Sequence, residues 1–156
     1  MTESMQSSLS VPRSRAAIMA LLARSKPNEL SVPLAEHWPA LKHNVFRAPE
    51  TGLVMLRGRM GGDGSPFNCG EATVSRAVIE LESGERGYGQ MLGRDRAHAE
   101  RAAIVDALAQ RSADLENVER FILAPIAARL ALAVQRKSSE AAATRVDFFT
   151  LVRAEG

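Results

Sequence analysis

The stretch GYGQMLGRDRAHAERAAIVDALAQ, residues 87–110, decides the fold of this chain because it joins a glycine-rich strand to a charged helix start. Its three glycines, Gly87, Gly89 and Gly93, lack a Cβ and allow the backbone to come close to another group. Their spacing resembles a dinucleotide-binding fingerprint, but these glycines lie in a strand after a hairpin and not after the first strand of a βαβ unit. The sequence therefore does not predict an NAD site.

The helix that follows the third glycine begins with charged residues. Asp95 is a good N-cap, and Arg94, Arg96 and His98 lie in or beside the first turn. Because a helix N-terminus has unpaired N–H groups and a partial positive charge, this end predicts an anion-binding site. The helical period predicts an inner face made of Ala97, His98, Arg101, Ala102, Ile104, Val105 and Leu108.

Before this helix, the side chains alternate as they do in β-strands. GLVMLRGRM, residues 52–60, predicts a strand with Arg57 and Arg59 on one face, and a second strand covers about residues 71–81. The glycine-rich turn GGDGS, residues 61–65, lies between them. A second hairpin leads into the glycine-rich strand, so three sequential strands with short connections predict an antiparallel meander.

Shorter elements flank this meander. HNVFRA, residues 43–48, predicts a short strand that ends in the turn APET. Two helices precede it, over about residues 12–24 and 28–38, and Pro33 should kink or split the second. The C-terminal part adds a short helix, LENVERFI, and an alanine-rich helix that begins after Pro125.

These elements predict an α+β fold. We expect an antiparallel β-meander sheet of three to five strands, with N-terminal helices, the central helix and C-terminal helices packed on it. Residues 1–11 are polar and aperiodic and are predicted to be a disordered tail, so residues 12–156 form a single domain.

The composition is that of an ordinary globular protein, with 46% hydrophobic and 24% charged residues. No apolar run approaches the ~20 residues that span a bilayer, and the N-terminus lacks the basic and apolar regions of a signal peptide. The single cysteine, Cys69, cannot form an internal disulfide, which agrees with a reducing compartment. We therefore expect a cytoplasmic protein without a membrane span.

The charge balance does not favour nucleic acid as a partner. The formal net charge is only +2, although 17 of the 20 basic residues are arginines, which suit carboxylates, phosphates and protein interfaces. Two short helices followed by strands also fit a winged-helix DNA-binding regulator. Its recognition helix would carry Glu29, Glu36 and a proline, which offer little base-reading chemistry.

The sequence predicts neither a metal site nor a catalytic residue. His37, His43 and His98 are dispersed and do not have metal-ligand spacing. Cys69 has no histidine or other base within its segment, and a free cysteine is more often a small apolar residue than a nucleophile. The arginines at strand and helix ends therefore remain the residues with chemical character.

The segment RVDFFTLVR alternates near the C-terminus. Its aromatic residues, Phe148 and Phe149, would be poorly placed in solvent. Residues 146–153 are therefore predicted either to form a last strand of the sheet or to dock on another chain.

Four segments resemble the PhnG family of the bacterial carbon-phosphorus lyase system, which degrades phosphonates. They are ETGLVMLRGRMGG at 50–62, FNCGEATVSRAVIEL at 67–81, GYGQMLGRDRAHAERAAIVDAL at 87–108 and VDFFTLVR at 146–153. The resemblance extends from about residue 12 to the end of the chain, and GRD-x-x-HAER together with VDFF is its most specific part.

This resemblance implies a subunit of a core complex that also contains H, I and J subunits, with the I subunit as the most direct partner and the L subunit acting with them. The G, H, I and L proteins together replace the adenine of ATP by an alkylphosphonate. ATP and alkylphosphonate would be substrates of the complex, while this chain binds no cofactor and is inactive alone. The alternative is a scaffold that never contacts substrate. The candidates for interface or anion contacts are Arg57, Arg59, Arg94, Arg96, His98 and Arg101.

Overall fold

The computed structural model describes residues 13–143 and has an α+β fold, as predicted. Its elements follow in this order: α1 (Arg15–Leu22), α2 (Pro27–His37), β1 (His43–Arg59), β2 (Pro66–Leu81), β3 (Arg86–Leu92), α3 (Arg96–Leu108), α4 (Ser112–Val118), one π-helical turn (Glu119–Leu123) and α5 (Ala124–Ala143). The predicted tail at 1–11 and the predicted strand or docking segment with Phe148 and Phe149 lie outside the described residues.

The three strands form the predicted antiparallel meander, in the order β1-β2-β3. The separate short strand at 43–48 and the turn APET were wrong, because β1 runs unbroken from His43 to Arg59. Register shifts between Val45 and Arg47 and between Arg47 and Glu50 keep β1 paired with β2. Such irregularities accommodate Pro49, which has no N–H for the ladder, so the strand bends there and does not end.

The strand β2 is longer than predicted and begins at Pro66. It pairs with β1 over its whole length, from His43 opposite Leu81 to Arg59 opposite Pro66. Residues 74–80 of β2 also pair with β3. Within the described chain, β1 and β2 therefore continue beyond β3 as a two-stranded ribbon, which we define as residues 53–73 with its turn at 60–65.

The helix α3 packs directly on β3 and explains two of the glycines. A Cβ on Gly87 would overlap the carbonyl oxygen of Ala103, and a Cβ on Gly89 would overlap that of Ala99. The close approach predicted for these glycines is therefore an approach to the helix of the same domain. Alanines on α3 complete this contact, because larger side chains would hold the helix away from the strand.

The inner face of α3 is broader than predicted. Ala97 is exposed, contrary to the prediction, whereas Ala99, Ala103 and Ala107 are fully buried. The helix packs against the sheet on one side and against α1, α2 and α4 on others. Its buried surface is therefore wider than the single apolar face that the helical period predicts. The core around it contains Ile18, Leu22, Leu30, Ala77, Ile79, Leu81, Val105, Leu108, Ile122, Leu123 and Ile126.

One charged residue of α3, Asp106, lies entirely inside this core. Its carboxylate accepts two hydrogen bonds from Arg15, at 3.1 Å from Nε and 2.7 Å from Nη2, and one from the Tyr88 N–H at 2.9 Å. A buried carboxylate is tolerated when it is paired and hydrogen-bonded in this way. Asp106 thus joins α1, β3 and α3.

The helices before and after the sheet have different boundaries from those predicted. Pro33 does not split α2, which runs unbroken from Pro27 to His37. Leu30 is buried in the core, and Glu29 pairs with Arg129 of α5. At the other end, α4, the π-helical turn and α5 form one continuous run instead of two separate helices. Residues 131–141 of α5 are exposed. In the described residues, no helix is both long and apolar enough to span a membrane.

Candidate functional site

A shallow groove forms where the ribbon meets the start of α3. It has a volume of about 680 Å³ and is lined by Thr51, Gly52, Leu53, Thr73, Arg94 and Arg96. The Nε of Arg96 donates to Thr51 Oγ1 at 3.3 Å, and Thr51 Oγ1 lies 3.2 Å from Ser75 Oγ. The groove therefore combines two guanidinium groups with the hydroxyls of two threonines.

The turn before α3 sets the direction of these arginines. Gly93 has a φ of +96°, which favours glycine, and its N–H donates to the Thr73 carbonyl at 2.9 Å. The Gly93 carbonyl in turn accepts a hydrogen bond from Ser75 Oγ at 2.9 Å. The turn is thus bonded to β2 in both directions, and Arg94 follows it at the edge of the groove.

The helix N-terminus itself is already occupied by a carboxylate. Asp95 is the N-cap, as predicted, and its Oδ1 accepts from the His98 N–H at 2.8 Å. This side chain supplies the negative charge that a helix start favours. The positive charge at this end of the groove is therefore that of the Arg94 and Arg96 side chains, since Asp95 already caps the helix start.

His98 does not reach the groove. It is 5% exposed, and its Nε2 lies 3.1 Å from the Ser25 carbonyl oxygen and 3.2 Å from Ser25 Oγ. Because a carbonyl oxygen can only accept, Nε2 carries the proton in this arrangement. His98 ties α3 to the connection between α1 and α2, away from the two arginines.

The remaining candidates lie in two further places. Arg57 and Arg59 line a second shallow groove near the end of the ribbon, with Gly58 and Pro66. Arg59 Nη1 donates to the Gly64 carbonyl at 3.2 Å. Arg101 is half-buried on α3. The structure therefore brings the candidates together as two pairs, Arg94 with Arg96 and Arg57 with Arg59, and leaves His98 and Arg101 apart from both pairs.

The five candidate arginines have no carboxylate partner within residues 13–143. Arg57, Arg59, Arg94, Arg96 and Arg101 form no ion pair there, a property that Arg24, Arg120 and Arg136 share. By contrast, Arg76 and Arg47 share Glu50, and Arg86 pairs with Glu80. The hydrogen bond from Arg76 and the positive charge of Arg47 lower the pKa of Glu50. The unpaired guanidinium groups are the ones free to bind an anion or a carboxylate from outside the chain.

The comparison with known proteins identifies the family of the chain. A family model described as phosphonate metabolism protein PhnG matches residues 13–154. The chain belongs to the PhnG family. A PhnG relative from Rhizobium meliloti (strain 1021) is 54% identical over 141 residues, which cover 88% of this chain and 87% of the relative. That relative is named alpha-D-ribose 1-methylphosphonate 5-triphosphate synthase subunit PhnG. The family that the four segments indicated is confirmed.

In this PhnG chain, the sequence did not reveal two residues of the groove, Thr51 and Thr73. Thr51 was assigned to a turn, although it lies inside β1 opposite Ser75, and Leu53 pairs with Thr73. A correct antiparallel register would have placed both threonines beside Gly93. The two threonines were missed because β1 was not predicted to be one unbroken strand.

The single cysteine of this PhnG chain lies away from that groove. The register shift between Leu56 and Arg57 leaves Cys69 as an extra residue of β2 in the ribbon. Its side chain is exposed, and its Sγ is 3.8 Å from the Phe67 carbonyl oxygen. Among residues 13–143, no group of three or more His, Cys, Asp or Glu side chains is arranged to hold a metal ion.

Proposed function

We propose that this chain is a subunit of an alpha-D-ribose 1-methylphosphonate 5-triphosphate synthase. The observation that carries the proposal is the 54% identity with a relative of that name over most of both chains. In the reaction, a phosphonate oxygen replaces adenine at C1 of the ribose of ATP. The glycosidic C–N bond breaks, a C–O bond forms, and adenine leaves with the bonding electron pair and takes up a proton.

The groove supports a particular contribution to this reaction. Both substrates are anionic, since ATP carries a triphosphate and the acceptor a phosphonate. Arginine binds such oxygens through its planar fork, and a fixed positive surface lowers the cost of bringing two anions together. Arg94 and Arg96, with the hydroxyls of Thr51 and Thr73, would supply such a surface. We propose that companion subunits, the I subunit first among the H, I and J subunits, complete the site, with the L subunit acting alongside.

A test is to reconstitute the complex with and without this chain and to measure adenine release from ATP and methylphosphonate. The double variant Arg94→Ala/Arg96→Ala should still assemble but release adenine at least tenfold more slowly, with a raised KM for the anionic substrates. Arg24→Ala is the control, because Arg24 is exposed just after α1 and its Nε donates to the Ala20 carbonyl oxygen.

The outcomes separate the parts of this proposal. Adenine release at the full rate without this chain would contradict its assignment as a synthase subunit. Turnover by the isolated chain would contradict its dependence on companion subunits. An unchanged rate and KM in the arginine variant would remove the substrate contact and leave a scaffold.

A scaffold is the second candidate, and the exposed ribbon favours it. Large apolar side chains on the ribbon suit contact with another protein more than contact with a nucleotide. In that case the Arg94→Ala/Arg96→Ala complex would bind ATP with the affinity of the unmodified complex. Weakened nucleotide binding with intact assembly would exclude the pure scaffold.

A further inference from the structure

The ribbon has an exposed apolar surface that the domain itself does not cover. Met55, Met60 and Phe67 are 57%, 73% and 45% exposed, and Leu53 and Leu56 are exposed as well. A two-stranded hairpin is at best marginally stable alone in water, and protein surfaces rarely keep such side chains together without a partner. The ribbon extends about 20 Å beyond the three-stranded sheet, at about 3.4 Å per residue.

The apolar side chains occupy both faces of the ribbon. Strand alternation places Leu53 and Met55 on the face that looks toward α3, because Thr51 on the same face accepts a hydrogen bond from Arg96. Leu56 lies on the opposite face, next to Met55 in sequence. A flat partner surface would cover one face and leave the other in water. A cleft that receives the ribbon would cover both.

The charges near the end of the ribbon indicate the polarity of that cleft. Arg57 and Arg59 share the face of Met55 by alternation, and neither forms an ion pair within residues 13–143. The ribbon's own carboxylates, Glu71 and Asp63, pair with neither arginine. A partner that brings carboxylates to these guanidinium groups would neutralise them, and such pairs are frequently bidentate.

A second copy of this chain fits this surface poorly. A twofold contact through the ribbon would place the same patch of both copies together. If the twofold axis passes beside Arg57 and Arg59, these residues of one copy approach the same residues of the other. Repulsion between like charges opposes such a contact. The charges therefore favour a different chain.

We propose that the ribbon inserts into an apolar cleft of a companion subunit, with carboxylates at the cleft that pair with Arg57 and Arg59. The identity of the companion rests on the proposed synthase function, whereas the ribbon as the inserted element rests on the exposure and charge described above. The groove with Arg94 and Arg96 lies at the base of the ribbon, so insertion would bring the companion to the edge of that groove.

The test uses the full-length chain with its companion subunits. The charge reversal Arg57→Glu/Arg59→Glu should weaken assembly at least tenfold, as measured by titration and size-exclusion chromatography. Lys42→Glu/Lys137→Glu makes the same change in net charge at two exposed lysines outside the ribbon and should assemble as the unmodified chain does. Met55→Ser should weaken assembly, whereas Val32→Ser, at a similarly exposed valine of α2, should not.

Hydrogen exchange supplies a measurement that does not depend on variants. Amides of the ribbon, residues 53–73, should exchange at least tenfold more slowly in the complex than in the free chain. Unchanged exchange there, together with normal assembly of the Arg57→Glu/Arg59→Glu variant, would overturn the proposal.

The remaining outcomes each decide something definite. Protection of the ribbon in a complex that releases no adenine would support the docking and refute the synthase function. Adenine release by complexes whose ribbon is unprotected would support the synthase function and refute the docking. A chain that binds no companion subunit would refute both the docking and the synthase function.

A dimer of the free chain that Met55→Ser dissociates would assign the ribbon to a second copy. A charge reversal that weakens ATP binding but not assembly would make these arginines substrate ligands. Such a dimer, or a loss of ATP binding without a loss of assembly, would overturn the docking proposal.

Discussion

The two ends of the same pair of strands have opposite physical character. Near Leu81, β2 is covered by α3, and its inward residues Ser75, Ala77 and Ile79 are buried. Beyond Thr73 the paired strands expose apolar side chains of both strands and the basic side chains of β1. Continuous backbone pairing therefore extends well past the point where the core ends. The covered end gives the domain its stability, and the uncovered end is available for contact with other molecules.

Helix contact accounts for this difference. The covered end has glycines on β3 and alanines on α3, which allow the helix to approach closely and exclude water from both surfaces. The ribbon lies beyond the N-terminus of α3, where Gly93 and Asp95 end the strand and start the helix. Substitutions at the two ends should therefore affect the free energy of unfolding very differently.

The largest effect is expected where the helix touches the sheet. In Gly89→Ala, the added Cβ would overlap the Ala99 carbonyl oxygen, so α3 must shift and core contacts are lost. The free energy of unfolding should fall by about 3 kcal/mol or more. Chemical denaturation measures it, with Gly52→Ala as control, because a Cβ at Gly52 meets no atom within 4 Å. Equal stability of the two variants would contradict the close contact between helix and strand.

The next effect concerns the buried carboxylate of the covered end. Asp106→Ala would leave the Tyr88 N–H without its acceptor and Arg15 without its counter-ion. Since Arg15 is partly exposed and can be solvated, the free energy of unfolding should fall by about 2 kcal/mol. Glu119→Ala, which removes the partner of Arg13, should change thermal or chemical stability by less than about 0.5 kcal/mol. A loss of similar size in both variants would show that burial of Asp106 is unimportant.

A smaller effect should depend on pH. Burial alone would raise the pKa of Glu29, but hydrogen bonds from Arg129 and from the Lys26 N–H outweigh burial and hold its pKa below 4.5. The stabilisation is therefore present above pH 4.5 and is lost as the pH falls through the lower pKa of the folded state. Comparison of unmodified chain and Glu29→Gln by denaturation should show a difference of about 1 kcal/mol at pH 7 that shrinks below pH 4.5. A constant difference across this range would refute the assignment.

The smallest effect on the free chain is expected in the ribbon. Met55→Ser should change the free energy of unfolding by less than about 0.5 kcal/mol, because the side chain is already in water. Val32→Ser is the control of similar exposure on α2. A loss above about 2 kcal/mol would mean that the ribbon packs against the free domain, and the distinction between the two ends would fail.

Much of the architecture could be predicted from local patterns. Alternation and glycine-rich turns indicated the meander, and Asp95 indicated the start of α3. The prediction divided β1 into two strands because Pro49 and Thr51 read as a turn, and it assigned α3 too narrow a buried face. In both cases tertiary contacts compensated for a local signal, through register shifts in the strand and through helices packed around α3.

The candidate site was predicted less completely. Local sequence identified Arg94 and Arg96, since they flank a helix start that follows a glycine. It could not show that Thr51 and Thr73 face them, because these residues are distant in sequence and meet only through strand pairing. His98 lies at a similar place in the sequence as the arginines, but it points into the domain.

The sequence by itself determined the family, the types of element and their order, because these depend on segments of a few to about twenty residues. Only the tertiary structure decided which arginines are neutralised within the chain and which are left without a carboxylate. It also decided where the core stops along β1 and β2. Both properties depend on which side chains, distant in sequence, come within a few ångströms of each other. Such distances cannot be predicted from local sequence.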